Sequence, residues 1–191
     1  MLKKFILAVF TLIMVVLLVA CDNSQDLDKD VMVIKESVFS EETQKILEII
    51  NEEIVFFDYK IDETVKSMSI DIWTCEDGKW VNSGKSYGNV KSSQGQIAIK
   101  IDDDSYDIIT IEEDGHTTSS YNSVVDFTNW KMLSSHHLSD VTEIKLNKEI
   151  LLFTKLATDE NNISLEFDDF RNNSYEAGVA VTVTFYDKSV D

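Results

Sequence analysis

Beyond residue 53, hydrophobic and polar positions mostly alternate with a period of two, the period that a strand with one buried face imposes on its side chains. Val55, Phe57, Tyr59 and Ile61 alternate with Phe56, Asp58, Lys60 and Asp62. Met68, Ile70 and Ile72 alternate with Ser67, Ser69 and Asp71, and Ile97, Ile99 and Ile101 with Ala98, Lys100 and Asp102. Further strands are predicted at Tyr106 to Glu112, Thr142 to Leu146 and Glu149 to Ala157. The pattern is clearest near the end, where Val179, Val181, Val183 and Phe185 take one face and Ala180, Thr182, Thr184 and Tyr186 the other.

One segment has a helical period instead. Thr43, Ile46, Leu47 and Ile50 recur at three- and four-residue spacing through about Glu53. Ser40 stands where an N-cap belongs, and Glu41 and Glu42 occupy the first turn, where negative charge suits the dipole. Between Thr117 and Asp140 the pattern dissolves into Ser, Thr, Asn, His and scattered aromatics, which predicts a long loop with room for a short helix. About eight short strands with one N-terminal helix predict a mainly β chain, an antiparallel β-sandwich-like domain.

The first residues obey a different logic. Lys3 and Lys4 precede an apolar run from Phe5 to Ala20 that only Thr11 interrupts, the layout of an export signal. The run is slightly short for a membrane span, which needs about 20 residues. Leu18-Val19-Ala20-Cys21 resembles the lipobox of bacterial lipoproteins. That resemblance implies a diacylglyceryl group on the Cys21 sulfur, cleavage before Cys21, and an extracytoplasmic protein anchored to the cell membrane through its lipid. It covers the first 21 residues and implies location, not activity. Each buried methylene contributes about 0.8 kcal/mol of membrane affinity and one chain holds only reversibly, so two or three chains would anchor stably. Residues 22 to 30 are polar and charged without a period, as a solvated tether would be. The expected organisation is a signal peptide over 1–20, a lipidated cysteine and tether over 21–39, and one β-rich domain over 40–191.

Charge narrows the range of partners. The chain has 17 basic and 35 acidic side chains, a net of −18, and losing Lys3 and Lys4 with the leader would bring it to about −20. Such a charge repels polyanions and argues against nucleic acid. With Cys21 lipidated, Cys75 has no partner for an intramolecular disulfide and reads as a small buried hydrophobe.

The most specific local signal is the segment from Trp73 to Val81, where Asp77-Gly78 reads as a two-residue type I′ hairpin turn. That register sets Cys75 opposite Trp80 and Trp73 opposite Asn82, with both tryptophans on the face away from Ile70 and Ile72. Trp73, Trp80 and Asn82 are therefore the candidate ligand-binding residues, for a carbohydrate or a protein. Carbohydrate-binding modules use aromatic platforms of this kind. The competing reading lays the helix from Glu41 to Glu53 over this face, because large aromatic patches are seldom left exposed. An intermediate arrangement packs one tryptophan under the helix and leaves the other at its margin.

The acidic turns form a second, weaker candidate. If the strands from Ser67 to Glu112 make a simple up-and-down meander, Glu76 and Asp77 fall at the same end as Asp102, Asp103 and Asp104, close enough to consider calcium. A solvated acidic turn is the bland alternative in so negative a chain, and neither a metal nor a cofactor is predicted. His116, His136 and His137 lack the spacing of paired zinc ligands, and no GxSxG, SxxK, Walker A or GxGxxG motif occurs. The expectation is a non-enzymatic binding or interaction module. Its rivals are a structural accessory subunit of a cell-envelope complex and a hydrolase whose site uses the segment from Thr117 to Asp140.

Overall fold

The computed structural model describes residues 31–50, 53–102, 105–123, 125–161, 167–172 and 175–190. Among the described residues the chain runs through β1 (Val33–Glu36), α1 (Glu41–Ile50), β2 (Glu53–Lys60), β3 (Ser67–Glu76), β4 (Lys79–Asn89), β5 (Gln94–Ile101) and β6 (Ser105–Glu112). It continues through β7 (Gly115–Asn122), β8 (Met132–His137), β9 (Thr142–Glu143), β10 (Glu149–Thr158), a 3-10 helix (Phe167–Asn172) and β11 (Ala177–Tyr186). The first sheet has the order β7-β6-β5-β2-β1-β9 and the second β4-β3-β11-β10-β8, with every neighbouring pair antiparallel. The protein is thus mainly β and sandwich-like, with eleven strands among the described residues where the sequence pattern predicts about eight.

Alternation along the central strands decides what lies between the sheets. Phe57, Tyr59, Ile97, Ile99 and Ile108 from the first sheet and Ile70, Ile72, Val179, Val181, Val183 and Phe185 from the second belong to one buried cluster. Full burial of an aliphatic or aromatic side chain contributes about 1.5–3 kcal/mol, so these rows supply most of the stability. The sheets also approach each other along both edges. Gly84 of β4 sits where a Cβ would meet the Tyr121 ring of β7 at 2.6 Å, and Ser86 and Ser119 hydroxyls lie 3.3 Å apart. On the other side, His137 of β8 lies 3.3 Å from the Glu36 carboxylate of β1.

Four expectations are corrected. β1 falls inside the segment expected to be tether; Ile34 is fully buried, and four residues are too few for alternation to show. The segment from Thr117 to Asp140 holds most of β7 and all of β8. Both are edge strands with largely exposed side chains, so polar residues replace an apolar row. The strands from Ser67 to Glu112 do not form one meander, because β3 and β4 belong to the second sheet and β5 and β6 to the first. Finally, α1 has the predicted cap, with the Thr43 amide 3.3 Å from Ser40 Oγ, but it covers no tryptophan. None of its residues is buried, and Ile46, Ile49 and Ile50 are each more than half exposed.

Candidate functional site

The site is built on the β3–β4 hairpin, and its turn has the predicted chemistry. Asp77 and Gly78 both have positive φ, 49° and 75°, as the two central residues of a type I′ turn require. Cys75 pairs with Trp80 and Trp73 with Asn82, the register read from the sequence. One residue further on the register slips, so that Ile72 pairs with Gly84 and Ser83 is left over. This bulge has a consequence for the surface. Directly opposed residues share a face, so without the extra residue Trp80 and Asn82 would point away from Lys85 and Tyr87. With it, one outer face carries Trp80, Asn82, Lys85 and Tyr87 from β4, and Ser69, Asp71, Trp73 and Cys75 from β3.

Trp80 lies across its neighbours. A Cβ on Gly178 of β11 would be 3.1 Å from the far edge of the Trp80 indole, so the ring passes over β3 and reaches the next strand. Cys75 lies under this span, fully buried although it belongs to the outer face, with its Sγ donating to the Tyr175 carbonyl at 3.3 Å. Burial pushes the thiol pKa above its ordinary value, against the smaller opposing effect of that hydrogen bond.

The cover expected from α1 comes from the 3-10 helix instead. Phe170 stands edge-on to Trp80, with ring centres 4.8 Å apart and planes at 84°, and lies 6.4 Å from Trp73. The Arg171 guanidinium stacks over Trp73 at 3.9 Å from the ring centre. Its two terminal nitrogens donate to Glu149 at 2.7 and 2.8 Å, a bidentate pair. Thr182 completes the arrangement: its hydroxyl accepts from Trp73 Nε1 at 3.1 Å and donates to Glu149 at 2.8 Å. Both tryptophans are half-buried. Sequence reasoning missed Phe170 and Arg171; the available signal was Phe167 and Phe170 three residues apart, the repeat of a 3-10 turn, between two strands. A cleft of about 280 Å³ is lined by the ion pair itself, Arg171 and Glu149, together with Phe170, Leu151 and Thr142.

On the other side of Trp73 the face turns polar. Asp71 is 8% exposed and accepts from Ser69 Oγ at 2.8 Å and Asn82 Nδ2 at 2.8 Å, with Lys85 Nζ at 3.4 Å. Because the Ser69 proton goes to Asp71, the Tyr186 hydroxyl, 3.1 Å away, donates to Ser69. Tyr186 is edge-on to Tyr87 at 5.8 Å, and Lys85 lies 5.7 Å above the Tyr87 ring. Tyr87 is 47% exposed.

The acidic candidates are not brought together in the expected way. Glu76 and Asp77 sit at the β3–β4 turn of one sheet, while Asp102 comes directly after β5 in the other and is paired with Lys100 at 3.2 Å. Asp103 and Asp104 lie outside the described residues, as does Cys21. Among the described residues no group of three or more His, Cys, Asp or Glu side chains could hold a metal ion. His136 contacts Ser134 Oγ at 2.8 Å on β8, and His137 faces Glu36.

In comparisons with known proteins the chain matches no family model, no curated protein and no solved structure. Its class is therefore the one its own fold defines, a mainly β protein of two antiparallel sheets with a partly covered aromatic face on the second.

Proposed function

We propose that this protein is a lipid-anchored extracytoplasmic lipoprotein whose β-sandwich-like domain is a non-enzymatic binding module, with the outer face of β3 and β4 as its binding surface. The observation that carries the reading is the partial exposure of Trp73 and Trp80 on paired strands beside Asn82, Lys85 and Asp71. Binding sites combine apolar and aromatic area with a few placed polar groups, and a site on strands is held more firmly than one on loops. The location rests on the lipobox resemblance at Cys21.

Two experiments test this. Cells given labelled palmitate should label the wild-type chain, and Cys21→Ser should carry no label and accumulate as precursor; equal labelling of the variant would sink the anchor. The full chain in mild detergent, probed against an array of soluble polysaccharides and an array of immobilised peptides, should be captured by a member of one array. Trp80→Ala should lose that capture. Capture unchanged in Trp80→Ala would move the binding surface elsewhere.

A second reading, an accessory subunit of an envelope complex, draws on α1, whose exposed Ile46, Ile49 and Ile50 form an apolar stripe. In that case Ile46→Glu with Ile49→Glu should release the protein from the complex without changing ligand capture at Trp80. The hydrolase alternative needs a long loop from Thr117 to Asp140, where half of the residues belong to β7 and β8.

A further inference from the structure

The outer face continues past the tryptophans into a strip with its own chemistry. From the rung of Cys75 and Trp80 to the rung of Ser69 and Tyr87 is six residues along β3. At about 3.3 Å per residue that is roughly 20 Å. Aromatic rings stand at both ends of this strip, Trp80 and Trp73 at one and Tyr87 with Tyr186 at the other. Between them lies a cluster of hydrogen-bonding groups organised on one buried carboxylate, Asp71.

Charge selects the ligand class. The chain as a whole is strongly acidic, yet the two cations described on this face, Lys85 and Arg171, are matched one to one by Asp71 and Glu149. A polyanion gains little from cations already matched and is repelled by the rest of the chain. A polycation finds these carboxylates already paired. The core of a protein–protein interface is depleted of charged residues, whereas here the Asp71–Lys85 pair occupies the middle of the strip. What remains is a neutral, elongated ligand with apolar faces at intervals and many hydroxyls. Sugar rings have this character: their C–H faces carry slight positive charge and suit the negative faces of aromatic rings. Their hydroxyls both donate and accept. Asn82 is exposed and uses one of its hydrogen-bonding positions on Asp71, and an ammonium such as Lys85 has three donors to distribute.

We propose that the strip from Trp80 to Tyr87 binds a neutral oligosaccharide lengthwise, with Trp80 and Tyr87 stacking on sugar rings at its two ends and Asn82 and Lys85 holding hydroxyls between them. The 3-10 helix forms the flanking wall: Phe170 stands edge-on to both tryptophans and Arg171 stacks over Trp73. This inference deepens the binding-module reading and rests on it. Asp71 is a positioning residue: it orients Asn82 and Lys85 from below the surface.

Electrophoresis of the full chain in mild detergent, through gels containing a soluble β-glucan, glucomannan, arabinoxylan or α-glucan, tests the proposal, with polygalacturonate as the anionic probe. At least one neutral polysaccharide should retard the protein, polygalacturonate should not, and the Kd should change little between low and high salt. Trp80→Ala and Tyr87→Ala should each weaken binding about tenfold, the effect of losing one well-placed aromatic contact. Tyr87→Phe should bind nearly as the wild type, and Asn82→Ala, in which Asp71 keeps Ser69 and Lys85, should weaken binding in a domain that still folds. Because Tyr87 is exposed, its alanine variant folds and gives a clean answer even where Trp80→Ala does not. Retardation by none of the neutral polysaccharides overturns the proposal. Glycan binding lost in Trp80→Ala but intact in both Tyr87→Ala and Asn82→Ala overturns the lengthwise site and leaves the module standing. Capture by a peptide instead, lost in Trp80→Ala, overturns the ligand class alone.

Discussion

Arg171 and Trp73 form a stacked pair, the guanidinium 3.9 Å from the ring centre, while the same guanidinium clamps Glu149 with both terminal nitrogens. The contact joins the 3-10 helix to the outer face of the second sheet. Arg171→Ala should cost about 1–2 kcal/mol in urea unfolding, because charge-assisted hydrogen bonds and a cation–π contact are lost from a pair that is only one-third exposed. Arg171→Lys should recover less than half, since an ammonium cannot reproduce the planar fork. In a background with both Trp80→Phe and Trp130→Phe, Arg171→Ala should also make Trp73 emission easier to quench with a neutral quencher. Unchanged quenching would show that the 3-10 helix does not cover Trp73 in solution.

Gly178 holds the space that Trp80 crosses. A methyl group there would stand 3.0 Å from Leu156 Cδ2 and 3.1 Å from the Trp80 ring, both tighter than ordinary contact. Gly178→Ala should destabilise by about 1–3 kcal/mol, the usual cost of overpacking. In a Trp80→Phe background the shorter ring should make the same change cheaper, so a double-mutant cycle should show coupling. Additive effects would place the Trp80 ring elsewhere.

Cys75 should be a silent thiol in the native protein. It is fully buried and its pKa is pushed up by desolvation, so little thiolate is present at neutral pH to attack a disulfide reagent. Reaction should be slow in buffer and fast in urea, and Trp80→Ala should speed it in buffer by uncovering the outer face above the sulfur. Native and unfolded rates that agree would refute the cover.

Tyr59 links stability to alkaline pH. Burial first, then the Glu112 carboxylate 3.2 Å from its hydroxyl, raise its pKa well above the ordinary value of 10.0. The folded protein therefore keeps a proton that the unfolded chain releases. Above about pH 10 the unfolded state binds fewer protons than the native state, so stability falls as pH rises. Tyr59→Phe should remove that component and flatten the loss, read from urea unfolding at a series of pH values. An equally steep loss in the variant would assign it to other groups, among them Tyr106, whose pKa burial also raises.

Much of the core was legible because its signal is local. A half-buried strand repeats every two residues, and apolar and polar or small residues alternate along much of β2, β3, β5 and β11, whereas β10 shows a short continuous apolar run from Ile150 to Phe153. The hairpin register at Asp77-Gly78 was legible for the same reason, since two residues that tolerate positive φ leave one compact turn. The edge strands β7 and β8 were not, because a strand with mostly exposed side chains needs no apolar row. The bulge at Ser83 was invisible as well: nothing in Asn82-Ser83-Gly84 states that one residue will be left out of the ladder.

The sequence by itself determined the inward rows, the acidic charge, the shared face of Trp73 and Trp80, and the helix over Glu41–Ile50, since all of these depend on neighbours along the chain. Only the tertiary structure decided which element covers the tryptophans. An amphipathic stripe says that a helix could bury one side, but not against what; that depends on where the sheets carry it, and α1 lies between two strands of the first sheet while Trp73 and Trp80 belong to the second. Cover came from Phe170 and Arg171, about 90 residues downstream of Trp80, because β11 enters the sheet beside β3 and draws the preceding 3-10 helix over it. Likewise the joining of Asp71 with Tyr186, through Ser69, depends on the pairing of β3 with β11 across more than a hundred residues, which no local pattern encodes.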